Sequence, residues 1–223
     1  MTKNKIKISI LTPSIRPEGL KVVYDSLKKQ TFDINSIEWL VEIGFPEKGC
    51  DLNAAYNRML RRAKGDIIVS LQDFIKIPEN ALQEIYNIQR EDTLITYPVA
   101  KVKEWGDKPI WDWRAIETKK IEPIEWEADF ASACKSMFFK VGGWDEELDK
   151  FFSFDNVSIG FRASMIGYKF LCYNKLKAIG LDHDKNMSHP FKKLRNPDFH
   201  NDRLRKFKMG LKLNYLKNNN VNK

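Results

Sequence analysis

Three short apolar runs, each closing on a polar tip and each followed by a helical pattern, occupy the first 90 or so residues. They restrict the chain more than any other feature. Ile6–Thr12 is β-rich and stops at Pro13. Pro17 then stands where a helix starts well, and Leu20, Val23, Tyr24 and Leu27 fall on one helical face. Ile37–Ile43 reads as a second strand, followed by a loop with Gly44, Pro46 and Gly49. Leu52 to Ala63 reads as a helix ended by Gly65. Asp66–Leu71 is nearly all apolar, which suits a strand covered on both faces. Pro78–Ile88 is a third helix. Alternation of this kind predicts an α/β fold with a mostly parallel central sheet, crossover helices on its flanks, and ligands at the carboxyl ends of the strands. Pro13–Arg16, Glu42–Gly44 and Gln72–Phe74 occupy those ends.

From Thr93 the pattern loosens. Leu94–Val102 reads as one strand, residues 104–126 are irregular and rich in tryptophan, and Phe130–Phe139 reads as strand or short helix. Gly142-Gly143-Trp144-Asp145-Glu146 follows, then a helix from Asp155 to Ile166, a strand Tyr168–Tyr173, and a strand-like Ala178–Leu181 that runs into Asp182-His183-Asp184.

Composition adds exclusions. With 223 residues, 43% apolar and 30% charged, the chain has the make-up of a folded globular domain and can bury a core without disulfides. No stretch approaches 18 consecutive apolar residues, and the first apolar run is too short for a signal peptide. Cys50, Cys134 and Cys172 have no metal-binding or disulfide spacing, so a reducing, cytoplasmic setting is expected. The net charge of +8 is lopsided: residues 185–223 hold 11 Lys/Arg and two acids, net +9, which leaves −1 for residues 1–184. The body therefore offers no general argument for nucleic-acid binding.

Four pieces in order, ISILTPSIRPEGL, CDLNAAYNRMLRRAKGDIIVSLQDF, FFKVGGWDEEL and FDNVSIGFRASMIGYKF with a following DHD, resemble a family 2 glycosyltransferase of GT-A fold. The resemblance spans residues 6–184, and the expected organisation is a 1–184 transferase domain with a 185–223 helical extension. It implies metal-dependent transfer of a sugar from a nucleotide-diphosphate donor, such as a UDP sugar, to an acceptor hydroxyl, with inversion. Two motifs depart from the family. Gln72-Asp73-Phe74 stands for D-x-D, and Phe154-Asp155-Asn156 for the Glu-Asp before the late helix.

Such chemistry needs charge opposite the leaving diphosphate and a base for the acceptor. The resemblance places Mn²⁺ or Mg²⁺ on Asp73 and His183, with Asp182 and Asp184 supporting, and makes Asp155 the base, with Asp145 and Glu146 as rivals. Pro13, Ser14, Arg16, Glu42 and Asn57 become donor contacts, with Arg58 nearby and Asp129 as a candidate for the sugar hydroxyls. Trp144 divides evenly between stacking on a sugar and core packing; Trp105, Trp111 and Trp113 read as packing or a lid. In the tail, Leu204, Phe207, Leu211 and Tyr215 recur at helical spacing among many Lys/Arg. That basic helix has three readings: docking on its own domain or a second copy, lying on an anionic membrane, or contacting a nucleic acid through residues 195–217. The acceptor is correspondingly a glycan, a lipid-linked sugar or modified DNA. The missing carboxylates keep open a non-catalytic nucleotide-sugar-binding or membrane-peripheral protein.

Overall fold

The computed structural model describes residues 5–44, 51–151, 154–182 and 196–219, with the backbone alone for Leu213 and from 215 onward. In chain order the elements are β1 (Ile8–Ser14), α1 (Pro17–Leu27), β2 (Ile37–Ile43), α2 (Leu52–Arg62), β3 (Ile67–Leu71), β4 (Ile75–Lys76), α3 (Ala81–Ile88), β5 (Thr93–Thr96) and β6 (Val99–Val102). Then follow β7 (Lys119–Lys120), β8 (Phe130–Cys134), α4 (Lys135–Lys140), α5 (Asp155–Met165), β9 (Lys169–Cys172), β10 (Ala178–Leu181) and α6 (Pro197–Asn219).

The main sheet has the order β2-β1-β3-β8-β5-β9-β7. β1 pairs in parallel with β2 and β3, and β5 with β9. β8 runs antiparallel between β3 and β5, and β7 runs antiparallel to β9. Five of the seven strands thus share one direction. A smaller sheet, β4-β10-β6, lies beside it.

The inner strands β1, β3, β8 and β5 are buried on both faces, which explains why runs such as Ile67–Leu71 read as continuously apolar rather than alternating. One core holds Tyr56, Met59, Met137, Phe138, Trp144, Ile159 and Ala163, from α2, α4, α5 and the turn before α5. The other holds Val23, Leu27, Leu82, Ile85, Tyr97 and Phe130.

The single strand expected over Leu94–Val102 is two strands in two sheets. Pro98 has no N–H to give to a ladder, and the chain changes sheets there. Phe130–Phe139 is both of its alternatives in succession, strand β8 and helix α4.

Among the described residues no helix is long and apolar enough to cross a membrane. Helix α6 packs on α5. Arg203 forks onto Asp145 at 2.8 and 2.9 Å, Phe199 meets Phe151, and His200 stacks on Phe154. Its first turns dock on the chain's own body, while Arg205 and Lys206 remain outward, 71% and 63% exposed.

Candidate functional site

Parallel strands deliver their polar tips to one rim. β1 ends at Ser14, and Arg16 follows as the residue before α1, with Pro17 in that helix's first turn. β3 ends at Leu71, two residues before Asp73. The tips meet directly. Ser14 Oγ donates to Asp73 Oδ2 at 2.6 Å, Arg16 Nε donates to the same oxygen at 3.3 Å, and Arg16 Nη2 donates to Oδ1. The Arg16 backbone N–H in turn donates to Ser14 Oγ at 2.9 Å. Asp73 is 3% exposed and the Arg16 side chain 23%, so a buried carboxylate holds a cation that still reaches solvent.

The backbone pays close attention to this corner. Phe74 sits in the left-handed region at φ 59°, and its ring packs so tightly on α1 that a Cβ on Gly19 would lie 2.3 Å from it. The Arg16 guanidinium stands over the same ring, 5.2 Å from its centre. Phe154, the residue before Asp155, has φ 68°. Among the described residues these are the two non-glycine positions with positive φ, and each adjoins a candidate carboxylate. Such conformations cost about 1–3 kcal/mol each and cluster where geometry serves a site.

The antiparallel strand brings in a third tip. Phe130 pairs with Leu71, and Gln72 N–H donates to the Asp129 carbonyl at 2.9 Å, which sets Asp129 beside the β3 tip. Arg114, 4% exposed, clasps the Asp129 carboxylate at 2.7 and 3.0 Å and the Asp112 carboxylate at 2.9 Å. Burial alone would lower the Arg114 pKa, but these two carboxylates outweigh it and raise it.

Asp155 opens α5. Burial pushes its pKa up, against the pull of the N–H groups of Asp155 and Asn156. Asn156 Nδ2 donates to Glu127 Oε2 and to the Trp126 carbonyl, both at 3.0 Å, which ties the start of α5 to the segment leading into β8. Fully buried Tyr56 shares a 2.8 Å hydrogen bond with Ser70 Oγ. Its phenol is driven upward by burial first, and Asp155, Asp129 and Asp73 all push the same way.

Other expected residues are placed differently. Pro13 lies opposite Glu42 in the β1–β2 register. The Glu42 carboxylate is held by Arg62 Nη2 at 2.6 Å and Arg58 Nε at 3.4 Å. Asn57 is a clamp on the glycine turn: its amide bonds the Trp144 N–H at 2.9 Å, the Trp144 carbonyl at 2.8 Å and Glu146 Oε1 at 2.8 Å. Trp144 resolves to core packing. It is 2% exposed and lies between Tyr56 and Phe138, each 4.5 Å away and nearly parallel. Asp145 is paired with Arg203 rather than free to act as a base. Trp113 packs against the core, whereas Trp105 and Trp111 are 46% and 38% exposed. His183 and Asp184 lie outside the described residues, as does Cys50.

A Mn²⁺ or Mg²⁺ ion on Asp73 does not fit the described donor set. Both Asp73 oxygens already accept from Arg16, so a cation there would compete with the guanidinium charge for the same carboxylate. Among the described residues no three His, Cys, Asp or Glu side chains are grouped to hold a metal.

Arg114 was not singled out by the sequence. It lies in an irregular stretch with no periodicity, and its one local signal is Asp112 two residues earlier, which accepts from its N–H and its guanidinium.

No family model matches the chain, and no curated protein matches it. Solved structures do. S. aureus TarS 1-349 in complex with UDP superposes with a TM-score of 0.62 at 13% identity, covering 79% of this chain and 61% of that one. The same protein with UDP-GlcNAc gives 0.61 at 13% identity over 80% and 59%, and without ligand 0.55 at 15% identity over 81% and 59%. The chain thus spans about three fifths of the TarS chains it matches. These likenesses establish the fold, an α/β arrangement of GT-A type with a mostly parallel sheet flanked by helices.

Proposed function

We propose that the chain is a glycosyltransferase that moves a sugar from a nucleotide-diphosphate donor, a UDP sugar in the first instance, to an acceptor hydroxyl. The observation that carries this is the meeting of Ser14 and Arg16 with Asp73 at the strand tips, with Asp129 beside them. The fold shared with TarS, whose crystals hold UDP and UDP-GlcNAc, supports it.

In this function Pro13 and Glu42 border the base and ribose, and Arg16, steered by Asp73, faces the diphosphate with its solvent-reaching edge. Charge-assisted hydrogen bonds of this kind stabilise a leaving group as negative charge develops on it. The Arg114–Asp129 pair presents fixed polar atoms to the donor sugar. Asp155 accepts the proton of the acceptor hydroxyl as its oxygen bonds to the anomeric carbon. The anomeric carbon–phosphate oxygen bond breaks in the same displacement, the nucleoside diphosphate leaves, and the configuration inverts. Asn57 and Trp144 shape the scaffold around α2 without touching donor.

Release of nucleoside diphosphate from a panel of nucleotide sugars, with Mn²⁺, with Mg²⁺ and with EDTA, tests the assignment. Turnover separates a transferase from a protein that only binds nucleotide sugars. Retention of activity in EDTA assigns the diphosphate charge to Arg16, and strict dependence on Mn²⁺ would return Asp73 to metal binding.

A further inference from the structure

A cavity of about 420 Å³ opens between the Gly142–Glu147 turn, α2, α5 and α6. Asn57, Trp144, Arg162, Arg203, Lys206 and Phe207 are among its lining residues, whereas Ser14, Arg16, Asp73, Asp129 and Asp155 do not line it. It is therefore separate from the rim site.

Arg162 gives the cavity its chemistry. The residue is 6% exposed, yet among the described residues its guanidinium meets no carboxylate through a hydrogen bond. Nε donates to the Ser158 carbonyl at 3.2 Å and Nη1 to the Val141 carbonyl at 2.6 Å. Nη2 is buried with no acceptor among the described residues. Burial draws its pKa down to about 10, which leaves it charged at neutral pH. A buried guanidinium with an unused N–H is costly, and forked contact with an oxyanion is its preferred remedy.

The carboxylates lining the cavity do not supply that remedy. Asp145 is held by both arms of Arg203, Glu146 accepts from Asn57 at 2.8 Å, and Glu147 accepts from Lys150 at 2.9 Å. On the α6 side Lys206 adds a second cation, bonded to Asp202 at 2.7 Å and largely exposed. His200, 4% exposed, also has a buried Nε2 without a hydrogen-bond partner among the described residues.

We propose that this cavity binds a phosphate-class oxyanion, with Arg162 turning its buried, unpartnered Nη2 toward the ion as the inner donor and Lys206 as the outer charge. Three cations and three acids line the space, so long-range attraction is small and recognition rests on the local hydrogen bonds. The volume exceeds that of a bare ion and suits a phosphate carried on a small organic body.

The test uses the full chain, with inorganic phosphate and glycerol 3-phosphate as probes, against sodium chloride of equal ionic strength. Saturable binding by calorimetry is expected, together with a rise in Tm of roughly 3–6 °C at tenfold excess over Kd. Equal affinity for both probes identifies the free ion as sufficient, and tighter binding of the ester identifies a phosphorylated molecule. Arg162→Gln should abolish the response while the response to UDP is retained, which keeps this site distinguishable from the donor site. If that variant does not fold, Lys206→Gln should weaken phosphate binding about threefold, and a tungstate soak should place the anion against Arg162. An undiminished phosphate response in Arg162→Gln, absence of saturation, or tungstate located elsewhere would overturn the proposal.

Discussion

The Arg16 guanidinium lies across the Asp73 carboxylate, Nε to Oδ2 at 3.3 Å with Nη2 on Oδ1, although the two residues are 57 positions apart. Ser14 completes the set from the same strand tip that leads into Arg16. One partner is buried and the other reaches solvent, so the pair stores a cation at the rim without hiding it.

Arg16→Met should consequently act twice. Under the proposed function it removes a charged donor to the diphosphate and should lower UDP affinity about 10- to 100-fold, the range for hydrogen bonds to charged groups. It also strands Asp73, 3% exposed, with Ser14 alone, at a cost of about 1–3 kcal/mol. Calorimetry with UDP and urea denaturation read the two effects separately.

Asp155 sets a pH signature. Burial raises its folded pKa above the unfolded value, so the unfolded chain ionises first as pH rises. The stability associated with this group is full below the unfolded carboxylate pKa and is lost as pH climbs through the folded value. Asp155→Asn should therefore be the more stable protein at pH 7, with the difference closing below about pH 4. Its turnover should fall about 10²- to 10⁴-fold, the usual contribution of a positioned base. Thermal unfolding across pH, alongside donor turnover at pH 7, checks both halves.

Gly19 is required by space, not by its backbone angle. A methyl group there would meet the Phe74 ring at 2.3 Å. Gly19→Ala should destabilise by about 1–3 kcal/mol and weaken UDP binding, since Phe74 follows Asp73 directly and lies under Arg16. Because the clash is with one side chain, Gly19→Ala combined with Phe74→Ala should show strong non-additivity in a double-mutant cycle.

Trp144 separates packing from recognition. Its sandwich between Tyr56 and Phe138 predicts a loss of about 3–5 kcal/mol for Trp144→Ala, measured by denaturation. Trp144→Phe should keep most of the stability and leave donor KM within about twofold.

Much of this was legible in the chain because proline and glycine punctuate it. Pro13, one residue before the end of β1, and Pro17, the first residue of α1, bracket one tip, and Gly65 marks the return into β3, so the tips carrying Ser14, Arg16 and Asp73 fall on one rim. What could not be read depends on distant pairing. The antiparallel entry of β8 between β3 and β5 puts Asp129 beside Gln72, and no local pattern encodes that neighbour. Arg114 reaches the site from an aperiodic stretch. The resemblance made Asn57 a donor contact and left Trp144 divided between stacking and packing, yet here the Asn57 amide bonds the Trp144 backbone. The tail's apolar stripe correctly signalled a helix, but its partner, α5, was invisible until the fold was in place.

The most direct measurement is release of UDP from UDP sugars, with water or added glycans as acceptor, by the unaltered chain and by Asp155→Asn, each with and without EDTA. The account predicts turnover by the unaltered chain that survives EDTA and falls at least 100-fold in the variant. Saturable donor binding with no turnover of any nucleotide sugar, or equal rates in the two proteins, would contradict it.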